Sequence, residues 1–266
     1  MAAPLGKGQL AQLDEDNGFA IVARTVATHH PMFMRVPGRN ERVNWDNTTI
    51  ASKSTVLTTL QTLKEMADVY LTHEYSWGPT AKGMVPERPD ADVIVKGTNK
   101  FIELLTELAK LPSIASLDED KTTGELRRFS HEPPSAGAGH MLFRPVGQIV
   151  IAQALGELVL AKHKPLAPII KALQKYDDEH GFAMEPVSSL WHTVLYDPAR
   201  RRVVIGGRDL AARLLVYLLG GVQESKELDA LRDEVARLRT NSSGSAVNFD
   251  GELVPPGEIK LPDPLL

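Results

Sequence analysis

The sequence predicts a mostly α-helical protein, an irregular multi-helix bundle with long loops and at most a few short strands. Three observations lead there. Apolar residues recur at steps of three and four in most segments between the prolines, which puts them on one face of a helix. Extended pieces are confined to the neighbourhoods of Arg42–Trp45 and Arg202–Ile205. The 266 residues are 42% apolar and 24% charged, ordinary for a buried core, and they contain no cysteine, so the core is held without disulfides.

Residues 1–13 read as a flexible lead-in and residues 14–221 as a helical domain. The first helix runs from Asp16 or Asn17 to His29. Caps and first-turn carboxylates precede Phe19, Val22, Ala23 and Val26, and Pro31 ends it. A second helix is capped by Ser52 or Ser54 and carries the stripe Val56, Leu60, Leu63, Ala67 and Tyr70. Gly78-Pro79, Gly83, Pro86 and Pro89 mark residues 73–89 as a loop. The third helix spans Asp90 to Leu111, with Phe101, Leu104, Leu105 and Leu108 inward and Pro112 as its stop.

Residues 113–140 are polar, with Pro133-Pro134 and Gly137-Ala138-Gly139, and read as one long irregular connection. Arg144 to Lys162 is apolar on nearly every face, the mark of a buried central helix, and Pro145 suits its first turn. Helices over Pro165–Glu179 and Asp209–Leu219 follow, the second ended by Gly220-Gly221. Residues 222–240 form a terminal amphipathic helix. Its seam of Leu228, Leu231, Val235 and Leu238 packs either on its own domain or on a second copy. Residues 241–266 have the composition of a disordered tail.

Catalytic motifs are absent from the sequence. No histidine pair has the HExxH spacing, so no metal, cofactor or catalytic residue is expected. Gly78 and Gly83 have Walker-like spacing, but Met84 stands where the lysine belongs; Gly6, Gly8 and Ala11 follow no strand; and no nucleophile elbow occurs. The acidic runs Asp118-Glu119-Asp120 and Asp177-Asp178-Glu179 leave two readings open, solvated surface or a metal-dependent nuclease or nucleotide hydrolase.

The net charge of -4 argues against a free-standing nucleic-acid clamp, while a local basic face remains compatible with it. Arg200, Arg201 and Arg202, near Arg208 and Arg213, form one basic set; Lys121, Arg127 and Arg128 form another. The guanidinium fork matches phosphate oxygens. Lys53, between Ser52 and Ser54, adds a polar segment suited to an anion. Trp191, between Leu190 and Val194, reads as core. The start carries no secretory hydrophobic run, and no apolar stretch reaches the ~18 residues of a membrane span, so a cytoplasmic protein without membrane partners is expected.

Four segments in order resemble a known family. They are ARTVATHHPMF (Ala23–Phe33), SKSTVLTTLQTLKEMADVYL (Ser52–Leu71), GHMLFRPVGQIVIAQALGEL (Gly139–Leu158), and Trp191–Ile205 with the leucine-rich helix after it. Together they are similar to the C-terminal region of DGQHR-domain, DndB-like proteins associated with DNA sulfur modification. The resemblance covers residues 15–221, and the Asp-Gly-Gln-His-Arg string of the family's N-terminal domain is not present. It implies a DNA-associated accessory or regulatory protein of a bacterial phosphorothioation or defence system. Such a protein acts by binding, without catalysis; either the chain is a fragment or split product, with a protein partner or a missing N-terminal domain, or it is a stand-alone relative. The positions matching the family motifs are Ser52, Lys53, Ser54, Arg144, Gln148 and Trp191. Phosphate contact is assigned to Lys53, Arg144, Arg200, Arg201 and Arg202. The alternatives are an interaction module that oligomerises through Leu228, Leu231, Val235 and Leu238, and the metal-dependent hydrolase.

Overall fold

The computed structural model describes residues 11–34, 42–77, 87–117, 122–132, 137–222 and 224–266. The lead-in through residue 10, the glycines Gly78 and Gly83, the acidic run at 118–120 and Lys121 lie outside them.

The chain is mostly helical, as its periodicity requires. Helix α1 (Gly18–His29) is capped by Asn17, whose side chain accepts from the Ala20 amide, and a 3-10 turn follows at Pro31–Phe33. Strands β1 (Val43–Asn44) and β2 (Thr58–Thr59) make a two-residue parallel pair. Helix α2 (Leu60–Leu71) and helix α3 (Ala91–Leu108) come next, then the short α4 (Pro112–Ala115) and α5 (Thr123–Arg127). A second 3-10 turn, Met141–Phe143, leads into α6 (Pro145–Leu155), which continues as a π-helical stretch over Gly156–Ala161. Helix α7 (Leu166–His180) precedes the antiparallel hairpin of β3 (Tyr196–Asp197) and β4 (Arg202–Val203). Helices α8 (Arg208–Leu218) and α9 (Ser225–Arg239) and a second hairpin, β5 (Ala246–Val247) with β6 (Leu253–Val254), complete the fold.

Helix α6 is the centre, as a stripe-free apolar helix must be. It packs on α2 and on α8, while α1 packs on α2 and α3. Val150, Ala152, Ala154 and Leu155 are wholly buried in one continuous core. Trp77 lies between α1 and α3 on two glycines. A Cβ at Gly18 would fall 2.7 Å from its indole and one at Gly97 2.3 Å, so the aromatic ring takes the volume that side chains there would fill. Among the described residues, no helix is long and apolar enough to cross a membrane.

Four expectations are corrected. The second helix begins at Leu60, capped by Thr59, and not at Ser52 or Ser54. The carbonyls of Ala51, Ser54 and Val56 accept from the Arg127 guanidinium at 3.2, 2.8 and 2.6 Å, which holds that segment out of helical geometry. The connection over 113–140 contains α4 and α5, the latter started by a capping box between Thr122 and Glu125. The end of the lead-in is docked: Ala11 is buried, its carbonyl accepts from Arg24 at 2.7 Å, and Gln12 donates to the Trp45 carbonyl at 2.6 Å.

Residues 241–266, expected as a disordered tail, fold onto the helices. Ala246, Ile259 and Leu261 are buried, the Tyr217 hydroxyl donates to the Pro262 carbonyl at 2.9 Å, and the Leu265 amide donates to the Leu218 carbonyl at 2.7 Å. Composition misleads here because a few widely spaced apolar anchors and backbone hydrogen bonds suffice to dock a polar, proline-rich strap.

The terminal seam is spent inside the chain. Leu231 and Val235 are fully buried, Leu228 packs partly buried against the core, and only Leu238, 39% exposed, faces outward. An Arg213–Glu234 pair at 2.5 Å ties α9 to α8. The seam residues are therefore intramolecular packing, which removes the apolar face that pairing of two copies through this helix requires.

Leu231→Ala is expected to lower unfolding free energy by about 3 kcal/mol in urea titration, with no change of sedimenting mass in the full chain. A mass change without destabilisation would restore the seam to an interface. Arg127→Met leaves four carbonyls without their donor and is expected to cost about 3 kcal/mol by the same titration.

Candidate functional site

The segment Arg144-Pro145-Val146-Gly147-Gln148 is a structural knot. Arg144 donates to the Arg127 carbonyl at 2.5 Å, its guanidinium lies 4.3 Å from the centre of the Phe129 ring, and Glu132 stands 3.8 Å away. Pro145 opens α6. Gly147 meets the Met141 carbonyl so closely that a Cβ would fall 2.1 Å from that oxygen. The Gln148 amide donates to the carbonyls of Leu57 and Leu142 at 2.9 and 2.8 Å and accepts from the Thr58 hydroxyl at 2.7 Å. Arg144 is thus corrected from phosphate contact to internal support, because its fork already faces a carbonyl and a ring. Its pKa is pushed down to about 10 by burial, so it stays cationic at neutral pH.

Arg127 leaves the candidate set for the same reason. It is 1% exposed, gives its Nε to the Phe143 carbonyl at 2.5 Å, and is pushed down to about 10 by burial and by the charge of Arg144. Arg128 is buried as well. Trp191 is core, wholly buried and stacked on Phe182. Ser54 accepts from the Val56 amide at 3.3 Å in the loop that Arg127 holds, while Ser52 beside it is half-buried. Lys53 is exposed between them.

Two histidines form a matched pair of turn caps. His30 accepts from the Met32 amide and faces the Thr106 hydroxyl at 3.2 Å; His140 accepts from the Leu142 amide and faces Asp177 at 3.2 Å. In each ring Nδ1 accepts, so Nε2 carries the proton and donates. Each is followed three residues later by a phenylalanine against the ring. The two turns wall one apolar cavity of about 40 Å³ through Met32, Phe33 and Leu142. The repeat HPMF and HMLF is readable in the sequence, although its role as a cap is not. Asp177 also accepts from the Ser113 amide at 2.8 Å, while Asp178 and Glu179 are exposed, so that acidic run does not converge. Among the described residues no three histidine, aspartate or glutamate side chains are placed to hold a metal.

The exposed chemistry gathers at the β3–β4 hairpin. Its turn starts at Asp197, whose carboxylate accepts from the amides of Ala199 and Arg200 at 3.0 Å and pairs with the Arg200 guanidinium at 3.4 Å. These contacts hold the Asp197 carboxyl below the usual range, the Arg200 amide contributing most. Arg201 takes the left-handed conformation the turn needs, φ 52°. Arg200, Arg201 and Arg202 are all exposed, and among the described residues Arg201 and Arg202 form no ion pair. Lys53 sits on a different loop, whose backbone touches Gly124.

Beside the hairpin lies a groove of about 570 Å³ between Val187, Thr193, Tyr196, Val204 and Leu238. The Thr193 hydroxyl is buried without a hydrogen-bond partner among the described residues. Arg239 closes the groove's far end, donating to the carbonyls of Val187, Val247 and Asn248 with Phe249 under its guanidinium. Sequence reasoning finds the arginines of the hairpin but not the groove, whose walls come from three separate segments.

No protein-family model matches the chain, and neither does any curated protein or any solved structure.

Burial lowers His30 and His140 below the ordinary 6.5, against the pull of Asp177 in the case of His140. Below that pH the unfolded chain takes up protons that the folded chain refuses, so stability falls as pH drops through the ordinary histidine value and is fully present above it. Urea midpoints between roughly pH 7.5 and 5 are expected to decline with acid, and His140→Gln is expected to flatten the decline. A wild-type midpoint constant over that window would show that neither ring is held neutral.

Proposed function

We propose that this chain is a DNA-associated accessory or regulatory protein of a bacterial DNA-modification or defence system, and that it acts by binding phosphate, not by catalysis. The observation that carries the reading is the state of its arginines. Arg127, Arg144 and Arg239 are committed to backbone carbonyls inside the fold. Arg200, Arg208 and Arg213 face carboxylates. Arg201 and Arg202 stand exposed on one hairpin and form no ion pair among the described residues. A guanidinium with no intramolecular partner loses only water and rotamer freedom on meeting a phosphate, whereas a paired one first gives up its carboxylate.

The resemblance of Ala23–Phe33, Ser52–Leu71, Gly139–Leu158 and Trp191–Ile205 to the DndB-like family supports DNA as the source of that phosphate. Lys53 is a second, separate contact on the loop that Arg127 fixes. The hydrolase alternative draws no support from Asp177, which is engaged by His140 and Ser113, while the acidic run at 118–120 lies outside the described residues.

Charge reversal tests the reading. The double variant Arg201→Glu, Arg202→Glu is expected to weaken oligonucleotide binding at least about tenfold and to reduce the slope of log affinity against log salt by about two. Lys53→Glu is expected to reduce it by about one. Binding and slope unchanged in the double variant would discard the hairpin as the contact.

A further inference from the structure

We infer that the groove beside β3–β4 receives an unpaired nucleobase while Arg201 and Arg202 hold the adjoining phosphates. This rests on the phosphate-binding reading above and specifies what enters the site.

The groove's size, walls and rim point to that occupant. Its volume of about 570 Å³ falls in the range of ~300–1,000 Å³ typical of small-molecule sites. Its lining includes Val187, Val204 and Leu238, with the buried Tyr196 among them. Val187 and Leu238 are 36% and 39% exposed, apolar surface left uncovered among the described residues. The Thr193 hydroxyl, out of reach of the groove itself, is buried and has no hydrogen-bond partner among the described residues.

Charge separates the rim from the interior. The positive charge of Arg201 acts on the Tyr196 phenol, and those of Arg200 and Arg202 act on Asp197. Arg239 and Glu185 both act on His192. Arg201 and Arg202, which form no ion pair among the described residues, add positive charge on the hairpin side of the groove, which favours an anion there. The one carboxylate in the lining, Asp197, is ionised at neutral pH and repels an acidic side chain, yet accepts from an exocyclic amine. A flat neutral heterocycle inside with its anionic backbone outside satisfies all of these; an acidic peptide satisfies only the rim. A base inside a duplex is stacked and paired, so the occupant is an unpaired one.

The test is fluorescence anisotropy on the full chain with a short single-stranded oligodeoxynucleotide, an abasic strand of equal length, and an acidic peptide of equal charge. The single strand is expected to bind about tenfold tighter than the abasic strand. Leu238→Trp fills the groove from an exposed position. It is expected to erase that difference while leaving abasic binding unchanged. Equal binding of the two strands, or a difference that survives Leu238→Trp, overturns the groove assignment and leaves the phosphate reading standing. Binding of neither strand overturns both. An acidic peptide that matches the single strand and is equally sensitive to Leu238→Trp overturns the nucleobase in favour of a protein ligand.

Discussion

A buried guanidinium has to meet its donors with acceptors, and Arg127 does so with backbone carbonyls from two distant segments. It draws the Ala51, Ser54 and Val56 carbonyls to one side and the Phe143 carbonyl to the other. That holds residues 51–56, which open with a turn closed by the Ser54 amide on the Ala51 carbonyl, out of the helix, and leaves Thr59 to cap α2. The start of α2 in turn sets which face carries Leu60, Leu63, Ala67 and Tyr70. On the far side, Arg144 returns a hydrogen bond to the Arg127 carbonyl one residue before α6 begins. Gln148 then bridges Leu57 to Leu142. The packing of α2 on α6, the centre of the bundle, is thus registered by a polar knot at one end of both helices.

Helical stripes are legible in the sequence because burial repeats with the period of the helix. Val22 and Val26, Leu104 and Leu105, and the all-round apolar α6 fall where their spacing puts them. What is not legible is where polar donors find their acceptors. The serines before Val56 read as a helix cap, and only the carbonyl demand of Arg127, more than seventy residues later, denies them that role. Arg144 before Pro145 reads alike whether its fork faces phosphate or a neighbouring carbonyl. The strap from Asn241 has the composition of a free peptide, and its docking depends on Tyr217, Leu218 and Arg239, which lie on helices before it. At the candidate site, the arginine cluster is legible as chemistry; the groove is not, because Val187, Val204 and Leu238 meet only in the folded chain.

Arg239 connects these two lessons. It is buried like Arg127, pushed down to about 10 by burial, and spends its donors on carbonyls from the turn before Trp191 and from the strap. Of the residues whose carbonyls Arg239 holds, Val187 and the strap's Val247 line the groove, so the strap is part of the groove's framework and not an appendage. The same interaction that organises the core at Arg127 therefore shapes the exposed face at Arg239. It borders the groove beside a hairpin on which Arg201 and Arg202 form no ion pair among the described residues. Arginines consumed by backbone carbonyls create rigid concave surface, and arginines left free beside it supply attraction. On the binding proposed above, a groove walled by such internally bonded arginines spares its ligand the ordering cost that mobile loops impose.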